Sequence, residues 1–258
     1  GYVPIHASAV VYEDTGLLMA GWPKGGKTGA LLAFMNHGAQ FVGDEWILVS
    51  SDGESMLGLP IPVSISEWQF KYIPRFAPKI KLGQRLYFNG VRSIDHLHKA
   101  FQHPRIKHSF AFKLLDKAIP ALKKQLKVSK SPGDLFKSQV GNYQAVPKKI
   151  ILLLGHSQPE IKVEPSDPAD IALRLVQANK FELGGFLDYY TAYKFSFPRS
   201  RNDFLENAFN LQSWSLHQAF EGKEAYTVHH PMGKHSSHYL QRSVLCVLDP
   251  TKMPAQVH

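Results

Sequence analysis

The order of apolar and polar positions along the chain predicts a mixed α/β protein. Short segments rich in β-branched and aromatic residues are typical of strands, and apolar residues three and four apart are typical of helices. The predicted strands are residues 3–12, 17–20, 39–42, 46–50, 56–59, 62–65, 85–89, 148–154, 161–163, 225–229 and 243–248. The predicted helices are residues 27–36, 94–101, 109–126 with an interruption at Pro120, 168–178, 181–193 with a break at Gly184-Gly185, and 200–220.

Two long segments show neither the pattern of a strand nor that of a helix. Residues 67–81 are rich in aromatic residues and prolines, which fits a lid or substrate loop and fits a packed surface crossover equally well. Residues 127–147 are polar and contain glycine, proline and serine, so we expect a loop or a mobile insertion there. Ser166 is expected to cap the helix that starts at Pro168.

Composition and charge narrow the class of protein. Hydrophobic residues make up 44% of the 258 residues, which is enough for a sizeable core. No apolar run approaches the roughly 18 to 20 residues of a membrane-spanning helix. The single cysteine, Cys246, and the lack of a signal-peptide pattern at the start lead us to expect a cytoplasmic protein.

The net charge of +9 favours anionic partners, among which a nucleotide is the simplest. Nucleic acid is disfavoured, because no stacking aromatic residues are interleaved through the lysine-rich stretch Lys117–Lys130. The sequence leaves open whether the protein forms a homo-oligomer.

The segment Gly21–Thr28 reads Gly-Trp-Pro-Lys-Gly-Gly-Lys-Thr, which is the pattern of a phosphate-binding loop. An apolar strand precedes it and a helix-forming run follows, which is the context that such a loop requires. Lys27 can reach the terminal phosphates, and the Thr28 hydroxyl can bind Mg²⁺. The residues predicted to bind the nucleotide are Gly21, Lys24, Gly25, Gly26, Lys27, Thr28 and Gly29.

Two acidic residues, Asp44 and Glu45, follow the next predicted strand. Beside a phosphate loop, one carboxylate can hold Mg²⁺ and another can accept a proton from an attacking hydroxyl. His6 lies on the first strand, where a lone histidine is more often a packing residue than a catalytic one. Ser8 and Ser50 have no context for a catalytic triad.

Four histidines near the C-terminus and the lone cysteine suggest no further chemistry. The histidines are His229, His230, His235 and His238. No cysteine or acidic residue accompanies them, so a solvated loop or a loop that touches phosphate is expected there rather than a metal site. Cys246 lies in an apolar run and is expected to be an inert core thiol.

Taken in order, His6, Gly21–Thr28 and Asp44-Glu45 resemble the catalytic domain of HPr kinase/phosphorylase and its relatives, which share a fold with phosphoenolpyruvate carboxykinase. In that family a strand begins with His-Gly or His-Ala, and a loop Gly-x-x-Gly-x-Gly-Lys-Ser/Thr follows. A segment Gly-x-x-x-x-Ala-Asp-Asp comes after one helix, and here it reads Gly38–Glu45. The clear resemblance covers about the first 60 residues, with a weaker one near 148–180.

The resemblance implies a phosphate-loop kinase domain over residues 1–180 and a mostly helical C-terminal extension over 181–258. ATP and Mg²⁺ would bind at the loop, and the γ-phosphate would pass to a hydroxyl, with serine expected first, of a peptide, a protein or a small molecule. Asp44 would be the general base, Thr28 and the carboxylates of Asp44 and Glu45 would hold Mg²⁺, and His6 would orient phosphate or Asp44. Together with Lys27, these are the predicted catalytic and metal-binding residues.

The chain also departs from the family pattern. Glu45 stands where the family has a second aspartate, and the Glu-x-Arg-Gly-x-Gly segment of the bifunctional enzymes is absent. We therefore expect an acceptor other than HPr, and the same departures argue against the reverse phosphorylase activity without deciding it. Two alternatives stay open: a nucleotide-binding regulatory or accessory protein without turnover, and a carboxykinase-like enzyme.

Overall fold

A computed structural model describes residues 1–76, 80–100, 110–158 and 160–232, and it confirms the mixed α/β class. The chain divides into two units, one formed by residues up to Val63 together with those from Ser131 onward, and one formed by Ser64–Lys130. Residue 180, where we placed a domain boundary, lies inside a helix of the first unit. None of the described helices is long and apolar enough to span a membrane.

The elements of the described residues are numbered in chain order. The strands are β1 (Tyr2–Tyr12), β2 (Thr15–Gly21), β3 (Gln40–Gly43), β4 (Trp46–Ser50), β5 (Met56–Gly58), β6 (Val63–Ser66), β7 (Lys127–Lys130), β8 (Gln144–Ala145), β9 (Pro147–His156), β10 (Lys162–Pro165) and β11 (Glu224–Pro231). The α-helices are α1 (Lys27–Asn36), α2 (Leu82–Ala100), α3 (Phe110–Lys124), α4 (Pro132–Phe136), α5 (Pro168–Glu182), α6 (Gly184–Ser196) and α7 (Asp203–Phe220). Short 3₁₀ helices cover Glu67–Tyr72, Pro74–Phe76 and Lys137–Gln139.

A mixed sheet forms the centre of the first unit, with the strand order β10-β11-β9-β2-β1-β4-β5-β8 and with β3 also paired to β1. The β2–β9 and β9–β11 pairs are parallel, and the other pairs are antiparallel. Strand β1 changes partner in its middle. Along one edge, residues 2–6 pair with β4 and residues 9–11 pair with β3, whereas residues 7–12 pair with β2 along the other edge. His6 lies at this change of partner.

Alternate residues of β1 pack on opposite faces of the sheet, as the two-residue period of a strand requires. On one face, β1 shares a buried cluster with α5 and α7. The cluster includes Val3, Ile5, Ala7, Ala9, Ile171, Leu175, Leu216 and Phe220. On the other face, the ring of Tyr12 lies 5.6 Å from the ring of Phe34 in α1. The sheet is therefore covered by helices on both faces.

The second unit contains α2 and α3, which pack against each other, and the two-stranded β6–β7 sheet. Phe88 and Val91 of α2 and Ile119 of α3 are buried. The hydroxyls of Ser64 and Ser129 lie 2.8 Å apart across the β6–β7 sheet. This unit therefore has its own small apolar interior.

Two of the sequence predictions are wrong. Residues 85–89, predicted as a strand, lie inside α2, whose Phe88 and Val91 are buried on one helical face because they are three residues apart. Residues 127–147, predicted as a loop, contain β7, α4 and β8. Helix α4 forms because the Ser131 hydroxyl accepts a hydrogen bond from the Asp134 amide and Pro132 occupies the first turn.

Smaller corrections concern helix boundaries. Helix α3 continues through Pro120. A proline inside a helix removes one backbone hydrogen bond, and here the turns on either side of it remain helical. Asp167, rather than Ser166, caps α5 by accepting from the Ala169 amide, whereas the Ser166 hydroxyl lies 2.6 Å from that of Thr227. Residues 67–72 and 74–76 form 3₁₀ helices, and the predicted strand 243–248 lies outside the described residues.

Gly58 provides a test of the packing between β3 and β5. A β-carbon at Gly58 would lie 1.9 Å from the Val42 carbonyl oxygen and 2.7 Å from the Gly43 Cα. Overpacking of this kind costs roughly 1–3 kcal/mol or more, so we expect Gly58→Ala to lower the free energy of unfolding by at least that amount in urea titrations. The control is Gly90→Ala in α2, where no atom lies within 4 Å. Equal stability of the two variants would contradict the close approach of β3 and β5.

Candidate active site

The predicted phosphate loop occupies the turn between β2, which ends at Gly21, and α1, which begins at Lys27. Gly26 caps α1 with a φ of 97°, no side chain caps this end, and the first turn contains no acidic residue. The partial positive charge of such a helix end favours anions. Exposed Lys24 has a φ of 64°, a conformation that favours glycine, so the loop holds one non-glycine residue in a strained backbone.

Lys27 is folded back onto the loop. Its Nζ donates to the carbonyl oxygens of Gly21 and Trp22, each at 3.1 Å. Burial lowers the pKa of the Lys27 ammonium, while the negative charges of the nearby carboxylates, Glu182 first, oppose the shift. The ammonium thus rests on carbonyl groups of the loop at the place where the pattern would put a phosphate.

Asp44 is buried between two hydroxyl groups. Ser8 of β1 donates to Oδ1 at 2.5 Å, and Thr28 of α1 donates to Oδ2 at 3.0 Å. The Asp44 side chain is enclosed, and burial raises its pKa from 3.8 to about 6. The charge of Glu45 adds to this increase in pKa, and the two hydroxyl groups work against it.

Glu45 adopts a φ of 70°, which is unusual for a residue with a long side chain. The amide of Trp46 donates to the carbonyl of Asp44 at 3.0 Å, so residues 44–46 form a three-residue turn around Glu45. The amide of Ala7 donates to the carbonyl of Glu45 at 3.1 Å. Backbone strain of this type clusters at functional sites, where the surroundings hold it in place.

His6 lies between two carboxylates. Its Nε2 is 2.9 Å from Glu45 Oε2, and its Nδ1 is 2.5 Å from Glu182 Oε1. The imidazole also stacks on Trp46, with ring centroids 5.6 Å apart. We expected His6 to orient phosphate or Asp44. Its hydrogen bonds instead connect Glu45, in the turn at residues 44–46, to Glu182 at the end of α5.

Three residues of the site were missed or misread in the sequence. Ser8 was set aside for lack of a triad, although a hydroxyl two positions after His6 can only face the same side of β1. Glu182 was missed because it was predicted in a separate helix, 181–193, whereas it is the last residue of α5. His230 was assigned to a solvated or phosphate-touching loop, but it is a buried residue of β11 whose Nε2 lies 2.8 Å from the Gly25 carbonyl oxygen.

The other described candidate, His229, is hydrogen-bonded away from the site. His229 lies 2.9 Å from Glu164 on β10, and His235 and His238 fall outside the described residues. Within the described ranges, no group of three or more His, Cys, Asp or Glu side chains could hold a metal ion by itself.

An apolar pocket of about 220 Å³ lies beside the start of the loop. It is lined mainly by Gly21 and Trp22 from the loop, by Leu152 and Leu154 of β9, and by one face of α5. Trp22 is half exposed, and its ring lies 4.7 Å from that of Phe181 in α5. A bound molecule could therefore place an apolar group next to the loop.

Comparison with known protein families and with curated proteins gave no match for this chain.

The raised pKa of Asp44 predicts that its charge destabilises the folded protein. Between about pH 4 and pH 6 the folded chain holds a proton on Asp44 that the unfolded chain has lost, so this group makes stability fall as pH rises through that range. Asp44→Asn removes the titration. We expect it to be more stable than the wild type above pH 6, by on the order of 1–3 kcal/mol.

The measurement is the free energy of unfolding in urea for both proteins from pH 4 to pH 8. Asp188→Asn, an exposed site on α6, is the matched control and should show no comparable pH-dependent gain. If the free energies of unfolding of Asp44→Asn and the wild type differ by the same amount at pH 4 and pH 8, the inference that Asp44 carries a buried charge is wrong.

Proposed function

We propose that this chain is an ATP- and Mg²⁺-dependent kinase that transfers the γ-phosphoryl group to a hydroxyl. The observation that carries the proposal is the position of Asp44, a buried carboxyl group hydrogen-bonded to Thr28, the residue directly after the loop lysine. A phosphate loop alone supports only binding. A carboxylate of suitable basicity beside it supports transfer. The resemblance of His6, Gly21–Thr28 and Asp44-Glu45 to HPr kinase/phosphorylase relatives points to the same reaction.

The oxygen atoms beside the loop suit Mg²⁺, which prefers oxygen ligands and is usually held by one or two carboxylates together with substrate phosphates. Thr28 Oγ1 and Asp44 Oδ2, which lie 3.0 Å apart, are the two atoms that would hold the ion. Glu45, with its side chain 44% exposed, can supply a further oxygen. When bound, Mg²⁺ would offset the repulsion between the phosphates and the carboxylates of Asp44, Glu45 and Glu182.

In the proposed reaction, the acceptor oxygen bonds to the γ-phosphorus as the bond from that phosphorus to the bridging oxygen of ADP breaks. The proton of the acceptor hydroxyl passes to Asp44. Asp44 Oδ1 accepts one hydrogen bond, from Ser8, and so retains a lone pair for the acceptor, whereas Oδ2, beside Thr28, would hold Mg²⁺. With a pKa of about 6, Asp44 is ionised at neutral pH and still basic enough to take the proton.

His6 is proposed as a positioning residue. By bonding to Glu45 and Glu182 at once, it ties the strained turn at residues 44–46 to α5. The position of Asp44 depends on that turn, since Asp44 and Glu45 are adjacent.

The acceptor is proposed as a peptide, a protein or a small molecule that carries a hydroxyl. The pocket beside Gly21 and Trp22 offers room for an apolar, non-reacting part of that acceptor. Binding energy from such a part can serve to orient the hydroxyl.

Lys27→Ala tests the donor side. Removal of the ammonium that faces the phosphates should weaken binding of Mg²⁺-ATP at least tenfold in isothermal titration calorimetry, since charge-assisted contacts are worth roughly 1.5–3 kcal/mol. Lys180→Ala, an exposed lysine of α5, is the control and should bind as the wild type does. Unchanged affinity of Lys27→Ala would contradict the assignment of the phosphate loop.

Asp44→Asn tests transfer. We expect it to keep Mg²⁺-ATP affinity within about tenfold and to lose at least a hundredfold of the rate of ATP hydrolysis, or of transfer once an acceptor is found, because a base contributes roughly 10²–10⁴. For the wild type, kcat/KM should fall about tenfold per pH unit below pH 6, because protonation of Asp44 removes the base.

Glu45→Gln is the matched variant for the base, since it also removes one carboxylate charge. A larger loss in Glu45→Gln than in Asp44→Asn would move the role of base to Glu45. A wild type that binds Mg²⁺-ATP and never turns it over, with any acceptor, would favour the regulatory or accessory protein instead.

A further inference from the structure

The positive charge of the chain is concentrated in the second unit. Residues 64–130 contain 15 Lys and Arg but only 3 Asp and Glu, whereas the rest of the chain contains 15 Lys and Arg and 18 Asp and Glu. The whole basic excess of the protein therefore belongs to these 67 residues. Repulsion among these like charges opposes compact folding unless an anionic partner compensates the positive charge.

The three carboxylates of this unit are already in use. Glu67 pairs with Arg92, Asp95 lies 3.0 Å from Lys99 and 2.5 Å from Lys123, and Asp116 lies 3.1 Å from His98. Several exposed cations of the unit have no carboxylate within ion-pair distance among the described residues. They are Arg75, Lys81, Arg85 and Lys127. These cations are free to attract an external anion.

Helix α2 also exposes large apolar side chains. Its buried face carries Phe88 and Val91, but Leu82, Leu86 and Leu97 are 74%, 63% and 56% exposed. At 100° per residue, these three leucines fall within about 60° of one another, on a side of the helix away from the buried face. Arg85, Arg92 and Lys99 recur every seven residues and form an adjacent basic stripe.

We propose that this face of α2, formed by Leu82, Arg85, Leu86 and Leu97 together with Lys81 directly before the helix and called here the basic leucine face, binds an anionic membrane surface. A helix that pairs a stripe of Lys and Arg with a stripe of Leu lies in the interface of a bilayer, with leucines among the acyl chains and cations at the headgroups. Each cation near an anionic leaflet adds to the attraction. This proposal is independent of the kinase proposal.

Charge alone would equally suit nucleic acid, but the leucines decide against it. A phosphate backbone offers nothing for three exposed leucines, and single-stranded nucleic acid requires stacking aromatics between the cations. On α2, the only exposed aromatic residue among the described side chains is Tyr87, at 39%. A lipid interface satisfies both the apolar and the basic stripe at once.

The test is co-sedimentation of the full chain with vesicles of phosphatidylcholine containing about 30% phosphatidylserine, and with vesicles of phosphatidylcholine alone, at about 0.1 M salt. We expect binding to the anionic vesicles and at least tenfold weaker binding to the neutral ones. The double variant Lys81→Glu/Arg85→Glu should weaken anionic binding at least tenfold. Its matched control is Arg199→Glu/Arg201→Glu, which makes the same change in net charge at exposed positions of the first unit and should weaken binding less than threefold.

A second pair of variants tests the apolar stripe. Leu86→Ser/Leu97→Ser should weaken anionic binding about tenfold, because each leucine leaves the acyl region. Leu173→Ser/Leu211→Ser, also at exposed leucines, should have little effect. Circular dichroism and thermal unfolding establish that each variant is folded. If the charge-reversal variant Lys81→Glu/Arg85→Glu does not fold, Lys81→Gln/Arg85→Gln replaces it, with an expected loss of binding of about threefold.

Three results would overturn the proposal. One is equal binding to neutral and anionic vesicles, and another is a reversal variant that binds as well as its control. The third is binding to a DNA duplex or to polyglutamate that exceeds vesicle binding and ignores the leucine substitutions, which would assign the basic stripe to a nucleic acid or an acidic protein.

Discussion

The arrangement of the candidate site depends on one buried carboxyl group. Asp44 is enclosed by the fold, and its two oxygens accept hydroxyl hydrogen bonds from β1 and from α1. A buried charge is costly unless it is hydrogen-bonded, so Ser8, Thr28 and Asp44 must keep their relative positions. Because Thr28 directly follows Lys27, this constraint also holds the start of α1 and the phosphate loop against the end of β3. The buried charge of Asp44 lowers the stability of the fold at the position where the proposed transfer would need a base.

A second constraint acts on the backbone. The pairing of β1 with β4 ends at His6, and the next amide, that of Ala7, is bonded to the carbonyl of Glu45. The strained turn at Glu45 is therefore anchored by the main chain from one side and by His6 from the other. The two carboxylates that follow β3 thereby acquire different surroundings: Asp44 is enclosed, whereas Glu45 is partly exposed and paired with an imidazole. Adjacent residues of the same chemical type can thus serve different roles.

The sequence predicted the local parts of the site well and the long-range parts poorly. The strand, loop and helix around Gly21–Thr28 follow from a contiguous pattern of glycines and apolar residues, and so does the strand that ends before Asp44. Glu182 is 176 positions from His6, and His230 is 205 positions from Gly25, so no local period could pair them. The approach of His230 depends on the parallel pairing of β9 with β2 and with β11, and that of Glu182 on the packing of α5 against β1, neither of which sequence periodicity specifies. Part of α2 was predicted as a strand because Leu86, Tyr87 and Phe88 form a short apolar run, and such a run fits a strand and a helix alike.

The two-stranded β6–β7 sheet has a consequence for how the chain is assembled. The second unit begins at Ser64 and ends at Lys130, and the hydroxyls of Ser64 and Ser129 lie 2.8 Å apart. The ends of this basic segment are therefore neighbours, and a short turn could join them in its absence. Such a segment can be gained, lost or exchanged in evolution as a cassette, with no re-threading of the sheet that carries the phosphate loop.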